Sequence, residues 1–327
     1  MNPVYCCLSR LSFFSLTFAI LLAIVTIAPL SSFLLPSTFA KNNKSSVDHD
    51  TLDFNFATVG DFGCNADAKE TLRNIFNLKP EVLLALGDLS YEPDSTCWLD
   101  MIAPLEKYLI VKIAFGYHDI FDGGEDLLQS YLTHFDLAKQ FYSFEYRNIH
   151  FLSMATELNY SAGSDQYQFV VNDLKKASNN SKITWIVVNS FRPFYSSPST
   201  HPGPAALRDT YHPLFDKYGV DLVLQAHVHN YQRTFPIVFN SLHRSNPTIE
   251  NNNTSNYSGI QKGPLFITIG TAGQEFHSLY AQAPFVVRQF ERYGFVNIAV
   301  TENGRKLVGS FYDNNSHKLL DQFTIAK

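Results

Sequence analysis

The chain has 327 residues, 45% of them hydrophobic and 14% aromatic, enough for one large or two ordinary domains around a sizeable core. Its formal net charge is −5, and no basic patch or block of like charge occurs along it. Nucleic acid therefore gains no support as a main partner.

Residues 1–40 stand apart from the fold. Arg10 precedes an uncharged apolar stretch from Leu11 to Leu30, and Thr38-Phe39-Ala40 resembles a small-residue cleavage site. This pattern reads as an export signal. The run is long for a signal, so an uncleaved membrane anchor through residues 11–30 is the rival reading. Either way the bulk of the chain is expected outside the cytoplasm, secreted or held on the outer face of the membrane. A polar linker is expected over residues 41–53, with the folded domain over 54–327.

Phe54–Val59 is the first expected strand, followed by a helix from Ala66 to Leu78 with apolar residues at Ala68, Leu72, Ile75 and Phe76. Val82–Leu86 is a continuous apolar run, as in a strand buried on both faces. Two strands joined by a helix of this length make a parallel βαβ unit. A helix over Trp98–Tyr108 and a strand over Leu109–Phe115 follow. Tyr142–Tyr146 and His150–Met154 flank Arg147-Asn148 as a hairpin. Ser164 is the expected N-cap of a helix to Ala177, and Thr184–Val188 the next buried strand. Ala205–Tyr218 is a helix stopped by Gly219, and Val220–Leu224 a strand. Residues 240–260, rich in Asn and Ser, read as an exposed excursion. Leu265–Ile269, a hairpin of Phe295–Val300 with Leu307–Tyr312 around Asn303-Gly304, and Leu319–Ile325 complete the strands. This alternation predicts an α/β protein.

Four strand ends carry chemistry. Gly60-Asp61-Phe62-Gly63 ends the first, Gly87-Asp88-Leu89-Ser90-Tyr91 the second, Gly116-Tyr117-His118-Asp119 the third, and Ala226-His227-Val228-His229 a later one. Ligands in α/β sheets sit outside the carboxyl ends of strands, so these residues are expected to share one edge. Carboxylate, imidazole and phenol oxygen together suit iron, zinc or manganese. A lone Gly-Asp or histidine is more often a turn or a packed side chain; the ordered recurrence is what makes this set specific. Among the four cysteines, Cys6 and Cys7 fall in the targeting segment, whereas Cys64 and Cys97 each closely follow a strand-end motif. In an oxidising compartment they are expected to pair and tie the two loops together, the alternative being two separate buried thiols.

In order, these motifs resemble those of the purple acid phosphatases, within the calcineurin-like metallophosphoesterases. The resemblance covers roughly residues 54–327 and implies two packed mixed β-sheets flanked by helices, a four-layer sandwich. It implies that Asp61, Tyr91 and His229 hold a first metal, typically iron, that Asp88 bridges to a second, and that His227 holds that second metal, which would be zinc, manganese or iron. His118, held by Asp119, would contact the phosphate or protonate the leaving group while a metal-bound hydroxide attacks phosphorus. The ligand would be a small phosphorylated substrate or anion.

Two departures from the family pattern fall on metal-ligand positions. Tyr117 stands where the family has Asn, and Phe191, in Ser190-Phe191-Arg192-Pro193, where it has His. Both family residues are ligands of the second metal. Phe191 has no donor atom, and Tyr117 carries its oxygen on a longer, rigid arm. Ala226 replaces the motif glycine. Three readings follow: an exported phosphomonoesterase with a degraded second metal site, a non-catalytic descendant that keeps one metal and binds a phosphate-like anion, and a scaffold retaining the fold alone. The intact first set of ligands argues against the third. His201, His212 and His277 are further donors that a loop could bring to the site.

Overall fold

The computed structural model describes residues 51–259 and 262–327. The expected signal or anchor, and the tether up to residue 50, lie outside the described residues. In chain order the first elements are β1 (Phe54–Val59), α1 (Ala66–Leu78), β2 (Val82–Ala85), α2 (Thr96–Glu106), β3 (Ile110–Ile113), α3 (His118–Phe121) and α4 (Gly124–His134). Next come β4 (Tyr142–Tyr146), β5 (Ile149–Ser153), α5 (Asp165–Ser178), β6 (Trp185–Asn189), α6 (Ala205–Tyr218), β7 (Leu222–Gln225) and β8 (Tyr231–Thr234). Three short strands, β9 (Ile237–Val238), β10 (Thr248–Ile249) and β11 (Asn256–Ser258), precede β12 (Leu265–Ile269), β13 (Val286–Phe290), β14 (Gly294–Thr301), β15 (Lys306–Asp313) and β16 (Leu319–Ala326).

Two mixed sheets of seven strands carry the fold, in the orders β11-β16-β15-β14-β1-β2-β3 and β13-β8-β12-β7-β6-β5-β4. β1, β2 and β3 are parallel, as the βαβ reading requires, and β14 joins β1 antiparallel, with Phe56 opposite Ile298. In the second sheet β5, β6, β7 and β12 are parallel and β4 closes one edge as a hairpin.

Strand periodicity builds the layers. In the second sheet Phe151, Trp185, Val187, Leu222, Leu224 and Ile267 point into the core shared with the first sheet. Their neighbours Leu152, Ile186, Val188, Val223 and Phe266 point the other way, onto Val170 and Leu174 of α5 and Leu207, Tyr211 and Phe215 of α6. A strand buried on both faces has no polar side to display, which is why these runs read as unbroken apolar sequence. Phe56 of β1 meets Phe151 of β5 edge-on across the inter-sheet core, at 5.3 Å between ring centroids. The helices are fixed locally: Asn65 Oδ1 accepts from Ala68 N at 2.9 Å, Ser164 Oγ from Tyr167 N at 3.2 Å, and Gly219 takes the left-handed conformation that ends α6 (φ 68°).

Several boundaries shift from the sequence expectation. β2 ends at Ala85, β7 starts at Leu222, and α2 begins two residues early, at Thr96. Helix α4 and strands β8 and β13 are elements the periodicity did not announce. β8 reads Tyr-Gln-Arg-Thr, yet all four residues are buried. Its Arg233 is there because a two-pronged ion pair with Asp321 of β16, at 2.6 and 2.8 Å, satisfies the guanidinium. No hydropathy pattern announces a strand that is buried through an ion pair.

Cys64 and Cys97 form a disulfide with Cα atoms 6.0 Å apart, joining the loop after β1 to the first turn of α2. Among the described residues no helix is long and apolar enough to cross a membrane. The cross-link closes a separation of 33 residues, so Cys97→Ser should lower stability by about 2–4 kcal/mol. Chemical denaturation with and without reductant measures this; equal curves for wild type and variant under oxidising conditions would refute the contribution.

Candidate functional site

The carboxyl ends of β1, β2 and β3 in one sheet and of β6 and β7 in the other open on the same cleft. Pairing continues past the strands to bring them there: Asp61 N, Phe62 N and Gly63 N donate to Gly87 O, Asp88 O and Leu89 O. Across the sheets, Gly60 N donates to Ile269 O and His227 N to Asp61 Oδ2 at 2.8 Å. Asp61, Asp88, Tyr91 and His227 all take positive φ, at 60°, 50°, 57° and 67°. Such conformations cost about 1–3 kcal/mol each in non-glycine residues and gather where a site demands them. At Gly116 the chain tolerates no side chain, because a Cβ would collide with Asp88 Oδ1. Ala226 is accommodated at its motif position because Gly60 faces it; a Cβ on Gly60 would lie 2.6 Å from that of Ala226.

Three of the expected ligands converge. Tyr91 OH lies 3.1 Å from both Asp61 Oδ1 and His229 Nε2, and the last two atoms are 3.3 Å apart. His229 Nδ1 faces the Glu275 carbonyl at 2.7 Å, which fixes the ring and turns Nε2 inward. Asp88 is nearly inaccessible and takes the His118 N–H on Oδ1 at 2.8 Å. Burial raises the Asp88 carboxyl well above the carboxylate range, and the charges of Asp61 and Asp119 push it further. Burial and both carboxylates likewise raise the Tyr91 phenol. For His229, burial acts to lower the pKa, but the charge and hydrogen bond of Asp61 outweigh it and the net shift is upward. Two buried carboxylates and a phenol facing one imidazole are a donor set that a cation would neutralise. These residues therefore fit one metal. Among the described residues no three side chains drawn from His, Cys, Asp and Glu alone form a metal cluster; the set at Asp61 needs the phenol of Tyr91 as its third donor.

The second half of the site does not fit a metal. Phe191 is fully buried, with its ring edge-on to His227 at 4.9 Å. Tyr117 is 43% exposed at the rim, its ring packed on Phe121 at 4.6 Å. Arg192 Nη1 lies 3.3 Å from His227 Nε2. Arginine only donates, so Nε2 is an acceptor turned to the guanidinium. Burial, reinforced by Arg192, His201 and His229 and opposed by Asp61, lowers His227 to about 3 and keeps its ring neutral.

His118 reaches the cleft with Nε2 4.0 Å from Asp88 Oδ2 and its ring 4.2 Å from that of Tyr91. Asp119 does not hold the His118 ring, contrary to the family expectation. Asp122 does, with Oδ2 2.7 Å from Nδ1. Positions four apart on a helical turn face each other, and adjacent positions diverge. Asp119 is instead fully buried beneath the motifs, accepting from Asp88 N, Leu89 N and Gly116 N at 2.8 Å each. Burial raises its pKa to about 6 against these three bonds. His201 and His277 line the cleft, with stacked rings 4.1 Å apart, and His277 stacks on His229 at 3.8 Å. His212 is elsewhere, buried between Tyr195 OH (2.7 Å) and Ile237 O (3.1 Å). The resulting cavity measures about 330 Å³ and is lined by Asp88, Tyr117, His118, Arg192 and four histidines.

The sequence model of the calcineurin-like phosphoesterase family matches residues 54–231. In Arabidopsis thaliana, the chain is similar to probable inactive purple acid phosphatase 27, at 26% identity over 76% of this chain and 43% of the relative. Purple acid phosphatase 22 of the same plant is 27% identical over 83% of this chain and 63% of its own length. The chain thus spans less than two thirds of the length of these relatives. Among solved structures, a purple acid phosphatase from yellow lupin seeds shares the fold with a TM-score of 0.76 at 21% identity, covering 84% of this chain and 54% of that one. The anchor in the inner membrane complex of Plasmodium does so with a TM-score of 0.65 at 15% identity, covering 84% of this chain and 89% of that one.

Asp119 supports the site through backbone alone, so Asp119→Ala strands three buried N–H groups. It should cost about 3 kcal/mol or more in stability and weaken metal binding about 10- to 100-fold. Urea unfolding and metal titration test this, and unchanged metal affinity in the folded variant would remove Asp119 from the site.

Proposed function

Because the chain belongs to the calcineurin-like phosphoesterases, we propose that it is an exported phosphomonoesterase of the purple acid phosphatase type that works with one metal instead of two. The observation that carries this reading is the convergence of Asp61, Tyr91 and His229 within 3.3 Å of one another, while at the second position Phe191 has no donor and the Tyr117 ring packs on Phe121. Asp61, Asp88, Tyr91 and His229 would hold the metal, and the phenol-containing oxygen and imidazole set suits iron. When bound, the metal neutralises charge on the phosphoryl group and lowers the pKa of water.

The chain's own residues supply the rest. Asp122 Oδ2 holds His118 at Nδ1 and so turns Nε2 toward the cleft, from where the imidazolium form would donate a proton to a leaving oxygen. Asp88 holds the His118 backbone in the same place. The cavity of about 330 Å³ admits a phosphate group and part of a small alcohol or phenol leaving group. Export is supported by the apolar segment before residue 40 and by the Cys64–Cys97 disulfide, which persists in oxidising compartments.

A second reading, anion binding without turnover, is favoured by the loss of donors at Phe191 and by the names of two relatives as probable inactive enzymes. Hydrolysis of an aryl phosphate from acid to neutral pH, with iron, zinc or manganese supplied and His229→Ala as the blank, separates the two. Turnover above the blank is expected; turnover equal to it with every metal would leave the binding reading. Asp88→Asn should bring turnover down to the blank, and retained turnover in that variant would sink the metal-hydrolase mechanism.

A further inference from the structure

The misfit of the second metal position has a specific form. The space beside His227 Nε2 is filled by a cation that belongs to the chain. Arg192 leaves the end of β6 with its backbone N–H on Thr156 Oγ1 at 3.0 Å. Its Nε and Nη2 fork onto the two carboxylate oxygens of Glu157, at 2.5 and 2.9 Å. The Glu157 side chain is 6% exposed, so this anchor is well sheltered. Nη1 is left facing the cleft, 3.3 Å from His227 Nε2. A metal bound by that nitrogen would sit about 2.0–2.1 Å from it, on the side Nη1 approaches, so the two cations exclude each other by both volume and charge. Phe191 next to it contributes no donor that would favour the metal.

We propose that the Arg192 guanidinium replaces the second metal and is the fixed cation that binds the phosphoryl group in this cleft. The proposal rests on the phosphate-ester reading above and specifies which group meets the phosphate. A guanidinium stays charged at every working pH and offers planar donors that match phosphate oxygens. Nη1 carries two hydrogens, and His227 takes one. The other remains for an anion. Among the described residues that line the cavity, Arg192 is the one lysine or arginine. Glu157 lies at the opposite end of the guanidinium and holds its orientation, so the positive end of the pair points inward. A metal activates water as well as binding phosphate, whereas a guanidinium binds the anion without making water a better nucleophile; the site would therefore keep anion affinity more fully than rate.

The test uses the full chain and two readouts: metal content by elemental analysis after dialysis against zinc, manganese or iron, and inorganic phosphate binding by calorimetry. Wild type should hold one metal per chain. Tyr117→Asn with Phe191→His should still hold one, and adding Arg192→Ala to that pair should admit a second. Arg192→Gln should weaken phosphate binding about 10- to 100-fold while leaving the metal count at one. Arg192→Lys keeps the charge without the fork and should bind phosphate between the two, which guards against misreading a fold defect. Two metals per wild-type chain, or equal phosphate affinity in wild type and Arg192→Gln, would overturn the proposal while leaving the phosphate reading intact. A wild-type chain that binds no phosphate overturns both.

Discussion

The Asp61 carboxylate joins the two sheets at the point where the chemistry is gathered. Asp61 leaves β1 in the first sheet, yet its Oδ2 accepts the backbone N–H of His227 from the loop after β7 in the second. Its Oδ1 receives the Tyr91 hydroxyl and faces His229 Nε2. This buried carboxylate thus ties the loop after β1 to the loops that carry Tyr91, His227 and His229. A polar group without water needs hydrogen-bond partners, and these neighbours supply them. Its left-handed backbone, shared with Asp88, Tyr91 and His227, shows that the arrangement is held against local preference by the packing beneath.

That packing is provided by a core common to both sheets, with Phe56 against Phe151 and strands alternating between the inner core and the helices outside. Asp119 acts one level above the core. It satisfies the amides of Asp88, Leu89 and Gly116, and so fixes the turns after β2 and β3 relative to each other. These three backbone bonds hold the turns on which the half of the site around Asp61 is built.

The half around His227 has been rebuilt with other chemistry. Phe191 lends apolar contact where the family pattern supplies an imidazole, and Arg192 with Glu157 puts a fixed charge beside His227. The two changed ligand positions are consistent with each other: without a donor at Phe191 and with Tyr117 turned onto Phe121, a metal there would be under-coordinated. A guanidinium needs hydrogen-bond acceptors instead of ligands, and Glu157 and His227 are acceptors. Such a change alters the kind of cation in the cleft while the fold and the opposite half stay as they were.

The sequence by itself determined the elements whose burial is on both faces or whose ends are capped. Val82–Ala85, Trp185–Asn189 and Leu265–Ile269, and the helices started by Asn65 and Ser164, are written in hydropathy and local hydrogen bonding, which act over a few residues. The Asp, Tyr and His positions of the cleft were legible for a related reason, since they follow recognisable strand ends in a fixed order. Only the tertiary structure decided the partners. That His118 leans on Asp122, that Asp119 serves the backbone, and that Arg192 is aimed at His227 by Glu157 depend on directions set by turns and on residues distant in the chain. β8 was hidden for the same reason: its Arg233 is buried because Asp321, 88 residues away, is there to receive it. Local sequence specifies where a chain folds into strand or helix, but charge pairing across such distances has no local signature.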